Sequence, residues 1–567
     1  DGTYTEFING VDTNPLHTQQ YFERQVDRDH YKLNTFFDIK PFKGFNYRLN
    51  LSYYNKFSED GQYLSSKATT STGQGQIDET KYENYLIENI ITYTVPINNT
   101  DHRLNLTLMQ SYDYIMDRGM GYSAQNVTMD RDWNMLPKGE VTEITRKWQD
   151  ETMISFMARA QYSFKDKYLV TVSVRRDADS KFGSNNKWAT FPSVSAGWII
   201  SDEPWMKSAS FVDNLKLRAS WGQVGSHSGL SRYKSLGLAD SYEMEFGDDF
   251  AFGYLPGSEL SNPNIGWETT SSTNAGVDFT LFNDRFRGSV EGFYTTTKDL
   301  LVERSISTSL GYSTITDNMG ETSTWGFDIS MNGDIISRNG FLWNVGTNFS
   351  LYRNKILKIN GLKDEKGNDV DDVNNKWFIG QPLNVYYDYA FDGIYQYEDF
   401  DNIGGVFVLK KTYDTDGDGV ADKALDRDAG FCPGAVKVKD VNNDGKITAD
   451  DRVVISKDPK FTMSFNTTFK WKGIDLYADF YGVYGRIIQN KYLYDYNSGG
   501  SLAGRFNGLA VNYWTPTHPS NDYPRPRSSQ SINYLESLSY QDASYIRLRT
   551  LTLGYTLPTS ILSKAKN

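Results

Sequence analysis

The clearest chemical signal in the sequence is a set of oxygen donors in residues 440–451, which read D-V-N-N-D-G-K-I-T-A-D-D. Their spacing matches positions 1, 3, 5, 7, 9 and 12 of an EF-hand calcium loop, and Gly445 stands at the turn position. Position 12 is Asp instead of the longer Glu, so we predict weak, structural calcium binding. A hydrogen-bonded turn without an ion is the alternative. The predicted ligands are Asp440, Asn442, Asp444, the carbonyl of Lys446, Thr448 through a water molecule, and Asp451.

A second acidic run lies upstream and reads D-T-D-G-D-G-V-A-D over residues 414–422. Carboxylates two residues apart repel one another unless a hard cation holds them together, which favours a second calcium site. Leu425 stands at position 12 of this run, so the EF-hand pattern fails there, although Asp426 is adjacent. A solvated acidic loop is the alternative. The candidate ligands are Asp414, Asp416, Asp418 and Asp422.

The sequence carries no convincing catalytic motif. The five histidines are far apart and form no H-E-x-x-H zinc motif, and no glycine-rich phosphate-binding motif occurs. Residues 225–229 read G-S-H-S-G, which places His227 where a nucleophile elbow has serine. The single cysteine, Cys432, excludes an intramolecular disulfide. We therefore predict that the protein is not an enzyme.

The composition excludes several classes of protein. A net charge of -12 argues against nucleic-acid binding, which needs a basic surface to neutralise phosphates. Aromatic residues make up 15% of the chain, too many for a disordered protein. A mean hydropathy of -0.57 and the absence of a long apolar run exclude a transmembrane helix. A transmembrane β-barrel stays possible, because its strands alternate between lipid-facing and polar residues.

Alternation with period two dominates the chain and predicts β-strands. Phe45, Tyr47 and Leu49 alternate with polar residues, as do Phe461 and Met463. No long segment has a convincing helical period, so we expect little helix. The fifteen predicted strands are 29–40, 45–53, 84–95, 103–114, 151–164, 168–178, 187–201, 214–225, 272–283, 285–297, 323–336, 341–356, 461–471, 475–486 and 545–557.

The connections between these strands alternate in length. Tight links such as 40–44, 165–167 and 472–473 alternate with long polar links such as 115–150 and 357–460. Tight turns on one side and long loops on the other are typical of an outer-membrane barrel. The pattern therefore predicts an all-β, antiparallel transmembrane β-barrel. A soluble, multi-domain β protein is the alternative.

Seven segments, in this order, resemble the SusC/RagA-like family of TonB-dependent outer-membrane transporters. The resemblance extends over most of the chain. The segments are 182–206 (FGSNNKWATFPSVSAGWIISDEPWM), 215–225 (LKLRASWGQVG), 262–301 (beginning NPNIGWETTSS), 380–396 (GQPLNVYYDYAFDGIYQ), 440–452 (DVNNDGKITADDR), 512–526 (NYWTPTHPSNDYPRP) and 545–558 (YIRLRTLTLGYTLP).

The resemblance implies a larger protein in the outer membrane of a Gram-negative bacterium. Members of the family have a TonB box, a plug domain and about 22 strands. We therefore expect residues 1–567 to be an internal part of the barrel, with about 15 of about 22 strands and without the plug and last strands. Residues 357–460 are expected to form a long extracellular loop with the calcium-type motifs.

The resemblance also implies function and partners. It implies TonB-dependent uptake of oligomeric nutrients, with a SusD-like surface lipoprotein over the barrel and the TonB complex acting through the plug. Outer-membrane lipid surrounds such a barrel. Oligosaccharides are the first expectation for the cargo and oligopeptides the alternative, and the sequence assigns no substrate residue. A structural or adhesive surface β protein with calcium-stiffened loops is the alternative of a different class.

Overall fold

The computed structural model describes residues 15–68, 71–246, 249–359, 363–409, 432–444, 446–494, 510–525 and 532–558. The chain divides into two compact units. Unit 1 consists of residues 1–200, 218–273 and 297–320, and unit 2 consists of residues 201–217, 274–296 and 321–567.

Nearly all regular structure in the described residues is β-strand. No described helix is both long enough and apolar enough to cross a membrane. The helices are α1 (Pro15–Gln20), α2 (Lys491–Tyr494) and short 3-10 turns at Trp133–Lys138, Ile200–Asp202, Thr308–Leu310, Tyr397–Asp399, Ala449–Asp451 and Leu535–Ser539. The first strands are β1 (Phe22–Ile39), β2 (Phe45–Leu64), β3 (Gln74–Thr94), β4 (His102–Gln125), β5 (Glu140–Phe164), β6 (Tyr168–Asp179), β7 (Trp188–Ile199), β8 (Val212–Ser226), β9 (Ala239–Phe246), β10 (Asp249–Pro256), β11 (Glu259–Leu260), β12 (Glu268–Leu281) and β13 (Phe286–Ser305). The remaining strands are β14 (Thr314–Arg338), β15 (Phe341–Lys358), β16 (Val385–Tyr389), β17 (Phe391–Ile394), β18 (Phe400–Ile403), β19 (Val406–Leu409), β20 (Val436–Val438), β21 (Arg452–Ser456), β22 (Phe461–Trp471), β23 (Ile474–Tyr484), β24 (Ile487–Gln489), β25 (Tyr540–Asp542) and β26 (Tyr545–Tyr555).

The predicted all-β, antiparallel fold class is confirmed. The long strands follow one another along one sheet in the order β1 to β8, β12 to β15, β22, β23 and β26, which are the fifteen strands that the alternation predicts. Several strands are longer than predicted. β5 begins at Glu140 instead of residue 151, because residues 140–150 pair with β4 although they carry no apolar row that would reveal a strand.

The tight connections are confirmed as well. Asn339 and Gly340 join β14 to β15 with φ angles of 52° and 75°, and Lys472 and Gly473 join β22 to β23 with φ angles of 49° and 86°. Two successive residues with positive φ are typical of the type I′ turn, whose twist matches that of the strands it joins. Glycine at the second position adopts this conformation without steric strain.

In unit 1, the connection between β4 and β5 folds back onto the end of β2. Leu136 is fully buried against Tyr63, and the indole of Trp133 lies against Gly61, where a Cβ would come within 2.4 Å of its Nε1. The carboxylate of Asp130 accepts hydrogen bonds from the backbone and hydroxyl of Ser66, and also from Tyr63. This connection is therefore fixed by packing and by hydrogen bonds.

In unit 2, the predicted long loop 357–460 and the connection between β23 and β26 share one apolar core, called here the loop core. Ile394, Val436 and Val438 come from the first connection, and Trp514 and Leu535 come from the second. The indole of Trp514 is 2% exposed and donates a hydrogen bond to the side chain of Gln396 at 2.8 Å. The long polar loops expected from the sequence are thus partly folded.

Candidate functional site

The sheet of unit 1 has a row of exposed apolar side chains. On β6, Val170, Val172 and Val174 are 40%, 51% and 42% exposed. Val172 lies opposite Ala160 on β5 and Val194 on β7, so the apolar row continues across neighbouring strands. A soluble protein rarely leaves a contiguous apolar surface of this kind in water. The outer surface of a membrane barrel requires one.

The other face of the same strands is polar. The hydroxyls of Ser173 and Ser193 are 2.6 Å apart, and Arg175 donates a hydrogen bond to Ser155 at 2.9 Å. Arg175 also donates to both carboxylate oxygens of Asp177. Polar groups on this face are therefore paired across strands. Such a face suits contact with water and polar solutes.

Unit 2 has the same two-sided character. Met463 and Phe465 on β22 are 39% and 38% exposed on the apolar face. On the opposite face, the amide of Asn344 donates hydrogen bonds to Asn332 at 3.0 Å and to Asp334 at 2.8 Å. Each unit, taken by itself, thus has the alternation expected of a membrane-spanning sheet.

Residues 227–238, called here the Arg232 loop, are held by charged groups in unit 1. The guanidinium of Arg232 donates a hydrogen bond to Glu151 at 2.9 Å and another to Asp117 on β4. The hydroxyl of Tyr233 donates to Asp150 at 2.7 Å. These contacts border a cavity of about 380 Å³, called here the charged cavity, which Lys181 also lines. Its charged groups mainly pair with one another.

A second ion-pair group lies in the same loop. The ammonium of Lys234 is 2.6 Å from Glu259 and 3.3 Å from Glu303. Burial lowers the pKa of Lys234, but hydrogen bonds to Glu259 and Glu303 and the charges of these carboxylates raise it more. Lys234 therefore stays protonated and anchors the loop at a second point.

Residues that carry the family resemblance pack against one another. The rings of Phe182 and Trp267 have centroids 4.6 Å apart, and Phe191, Leu230 and Ile265 complete the cluster. The ring of His227 is tilted against that of Trp267, with centroids 5.7 Å apart. Its Nδ1 is 2.8 Å from a carboxylate oxygen of Asp179 but without hydrogen-bond geometry. Phe182 and Trp267 lie in two of the segments that resemble the family, but their contact could not be predicted from the sequence. The G-S-H-S-G segment contributes to this packing.

The first predicted calcium loop is a compact turn in its described residues. The carboxylate of Asp451 is buried and accepts backbone hydrogen bonds from Val441 at 2.8 Å and Thr448 at 2.7 Å. Asp444 accepts from the backbone of Lys446, and its own N–H donates to the side chain of Asn442.

These contacts resemble the hydrogen-bonded turn that was the alternative to calcium. No group of three acidic, histidine or cysteine side chains is placed to hold a metal within the described part of the chain. Gly445 and all four residues of the second motif, Asp414, Asp416, Asp418 and Asp422, lie outside the described residues. Calcium binding at either motif stays a prediction.

The tyrosine-rich segment 386–397 lies mostly inside the fold of unit 2. The rings of Tyr386 and Tyr540 have centroids 4.8 Å apart, and those of Tyr389 and Tyr534 are equally close. Burial raises the pKa of Tyr540, and the neighbouring carboxylates of Asp388 and Glu536 raise it further. These rings therefore pack within the protein.

Comparison with known proteins gives a consistent assignment. A family model described as "TonB dependent receptor-like, beta-barrel" matches residues 1–431. TonB-dependent receptor P3 of Formosa agariphila is 30% identical over all of this chain and 55% of its own length. TonB-dependent receptor SusC of Bacteroides thetaiotaomicron is 26% identical over 71% of this chain and 38% of its own length.

A solved structure has a similar fold. The structure of the RagAB peptide transporter matches with a TM-score of 0.77 at 22% identity, over 96% of this chain and 57% of the matched chain. The chain spans about half the length of the first curated relatives it matches, 55% and 56%.

Proposed function

The chain belongs to the family of TonB-dependent receptor-like β-barrels, and we propose that its protein imports oligomeric nutrients across the outer membrane. This family consists of non-enzymatic receptors in the outer membrane of Gram-negative bacteria. The resemblance to SusC/RagA-like proteins is thereby confirmed.

One observation carries the proposal. Val170, Val172 and Val174 expose an apolar row, whereas Ser173 and Arg175 on the same strand belong to a hydrogen-bonded polar face. An exposed apolar face fits lipid, and a polar face fits an aqueous path for solutes. A surface adhesin needs no polar lining of this kind.

The partners that we propose are a SusD-like surface lipoprotein and the TonB complex. The matched RagAB structures are described as those of a peptide transporter and a peptide importer. In the proposed cycle, the lipoprotein delivers the cargo to the long loops, and TonB acts through a plug to release it inward. The cargo that we propose is an oligosaccharide, with an oligopeptide as the alternative.

Uptake by living cells tests this proposal. Cells that express the protein should accumulate a fluorescent oligosaccharide or oligopeptide, and loss of TonB or of the protein itself should abolish accumulation. A strain that carries only an unrelated TonB-dependent receptor is the control. Equal accumulation with and without TonB, or adhesion to surfaces without any accumulation, would contradict the proposal.

A further inference from the structure

Unit 1 contains a second cavity of about 380 Å³ whose lining is chemically unlike that of the charged cavity. Apart from Tyr63, none of its lining residues has an ionisable side chain, and the hydroxyl of Tyr63 donates a hydrogen bond to Asp130. We call it the neutral cavity. Its polar lining comes chiefly from Gln62, Gln74, Gln76, Ser123, Gln125 and Thr142.

The neutral cavity lies on the polar face of the sheet. Gln62 on β2 is opposite Gln76 on β3, and Gln76 is opposite Ser123 on β4. Gln62 is an even number of residues from Asn50, so both side chains point to the same face. Asn50 donates a hydrogen bond to Glu88 across this face. The cavity therefore faces the proposed solute path, at the end of the strands where β2–β3 and β4–β5 are joined by longer connections.

The amides around the cavity retain their hydrogen-bonding capacity. Within the described part of the chain, the carboxamides of Gln62, Gln74 and Gln125 make no hydrogen bond, and Gln76 donates one to Asp78 at 2.9 Å. In the charged cavity, by contrast, Arg232 and Glu151 already pair with each other. The neutral cavity thus offers free donors and acceptors.

The shape of the cavity is fixed by its surroundings. On the opposite face of β2, Tyr63 packs in a buried cluster with Val127 and Leu136. Gly75 permits a close approach of β2 and β3, because a Cβ there would lie 2.3 Å from the carbonyl oxygen of Gln62. A site held in this way loses little freedom when a ligand binds.

From these observations we infer that the neutral cavity binds one uncharged sugar unit of an oligosaccharide. Each carboxamide presents an N–H donor beside a carbonyl acceptor, the pair that neighbouring sugar hydroxyls require. Phe22, which is 42% exposed, adds an apolar ring beside the amides. An anionic ligand would lose water here without gaining an opposite charge. The volume lies within the roughly 300–1,000 Å³ of small-ligand sites.

This inference rests on the proposed transport function, and binding to the purified protein tests it separately from transport. The probes are neutral hexasaccharides of α-1,4-glucan, β-1,4-glucan and β-mannan. Hexagalacturonate and a neutral hexapeptide represent the ligand classes that the inference excludes. The protein is purified from outer membranes in detergent, and binding is measured by calorimetry and by saturation-transfer NMR.

At least one neutral hexasaccharide should bind, and the double variant Gln62→Leu/Gln76→Leu should weaken it about tenfold, because two amide hydrogen bonds are lost. Gln161→Leu, an exposed glutamine on β5 outside the cavity, is the matched control and should leave binding unchanged. The single variant Gln62→Asn, which keeps the amide, should lose less affinity than the single variant Gln62→Leu.

Three results would overturn the inference: no neutral hexasaccharide binds, the hexapeptide or hexagalacturonate binds instead, or the double variant binds as tightly as the wild type while remaining folded.

Uptake distinguishes the two proposals. Binding that depends on Gln62 without TonB-dependent uptake would refute transport and keep the site, whereas TonB-dependent uptake unaffected by the double variant would refute the site and keep transport.

Discussion

The Arg232 loop of unit 1 and the loop core of unit 2 are held in different ways. In unit 1, Arg232 anchors its loop to Asp117 and Glu151 through charge-assisted hydrogen bonds. In unit 2, the loop core buries Val436 and Trp514, both 2% exposed. Removal of the cation leaves two carboxylates without their main partner, whereas truncation of a buried apolar side chain leaves a cavity. Removal of a charge and truncation of an apolar side chain should therefore act on different connections.

The largest expected effect is in the loop core. Trp514→Ala should destabilise the fold around residues 385–409 and 432–444 by about 3–5 kcal/mol, since the indole is buried and the cavity that it leaves cannot close completely. Tyr513→Ala, at a 46% exposed neighbour, is the control and should have little effect. Hydrogen exchange of residues 432–456 measures both. Equal protection in the two variants would contradict the apolar account.

The next effect is in the Arg232 loop. Arg232→Met should destabilise the docked loop by about 2–3 kcal/mol, because Asp117 stays behind without its cation and Glu151 keeps only Lys181, at 3.6 Å. Arg103→Met breaks the exposed pair with Asp166 and should change stability by at most about 1 kcal/mol. Limited proteolysis of residues 227–238 reports the difference. Arg232→Met should leave the loop core protected, and a loss of protection there with no change in the Arg232 loop would contradict the comparison.

A smaller effect is expected at Asp130, which holds the connection between β4 and β5. Burial raises the pKa of Asp130, but hydrogen bonds from Ser66 and Ser65 lower it more, and the net pKa is below its ordinary value. Asp130→Asn should therefore destabilise the connection by about 2 kcal/mol at neutral pH. The exposed Asp101→Asn is the control.

The same group makes the stability of this connection pH-dependent. Because the pKa of Asp130 is lower in the folded state, its contribution is complete above about pH 4 and disappears as the pH falls through the folded-state pKa. Hydrogen exchange of residues 126–139 between pH 6 and pH 3 should show this loss in the wild type. A loss of the same size in Asp130→Asn would contradict the assignment.

The smallest effect concerns calcium at residues 440–451. If the prediction holds, calcium at ten times its Kd should stabilise this turn by about 1.4 kcal/mol, and Asp440→Asn should remove the effect. Asp450→Asn, at an exposed position outside the predicted ligand set, is the control. Asp451→Asn should destabilise the turn with or without calcium, since Asp451 accepts two backbone hydrogen bonds. No response to calcium would leave the hydrogen-bonded turn as the correct interpretation.

The sheet could be predicted because its signal is local. Apolar and polar residues alternate along β2 and β22, and a tight turn such as Lys472–Gly473 is indicated by two adjacent residues. The extension of β5 to Glu140 could not be predicted, because apolar and polar residues do not alternate regularly in that segment.

The sites could not be predicted because their partners are distant in the chain. Arg232 and Asp117 are 115 residues apart, and no periodicity links them. The grouping of amides in the neutral cavity could not be predicted either, because Gln62 and Gln76 are brought together only by the register of β2 and β3. Trp267 was noticed through the family resemblance alone.

The central claim is that the apolar row of β6 contacts lipid and that its polar row faces water. Single spin labels at Val170, Val172, Thr171 and Ser173, in a Cys432→Ser background in outer-membrane vesicles, test it directly. Labels at Val170 and Val172 should collide mainly with oxygen dissolved in lipid, and labels at Thr171 and Ser173 should collide mainly with a water-soluble nickel chelate. A nickel chelate that reaches Val172 as readily as Ser173 would contradict the claim.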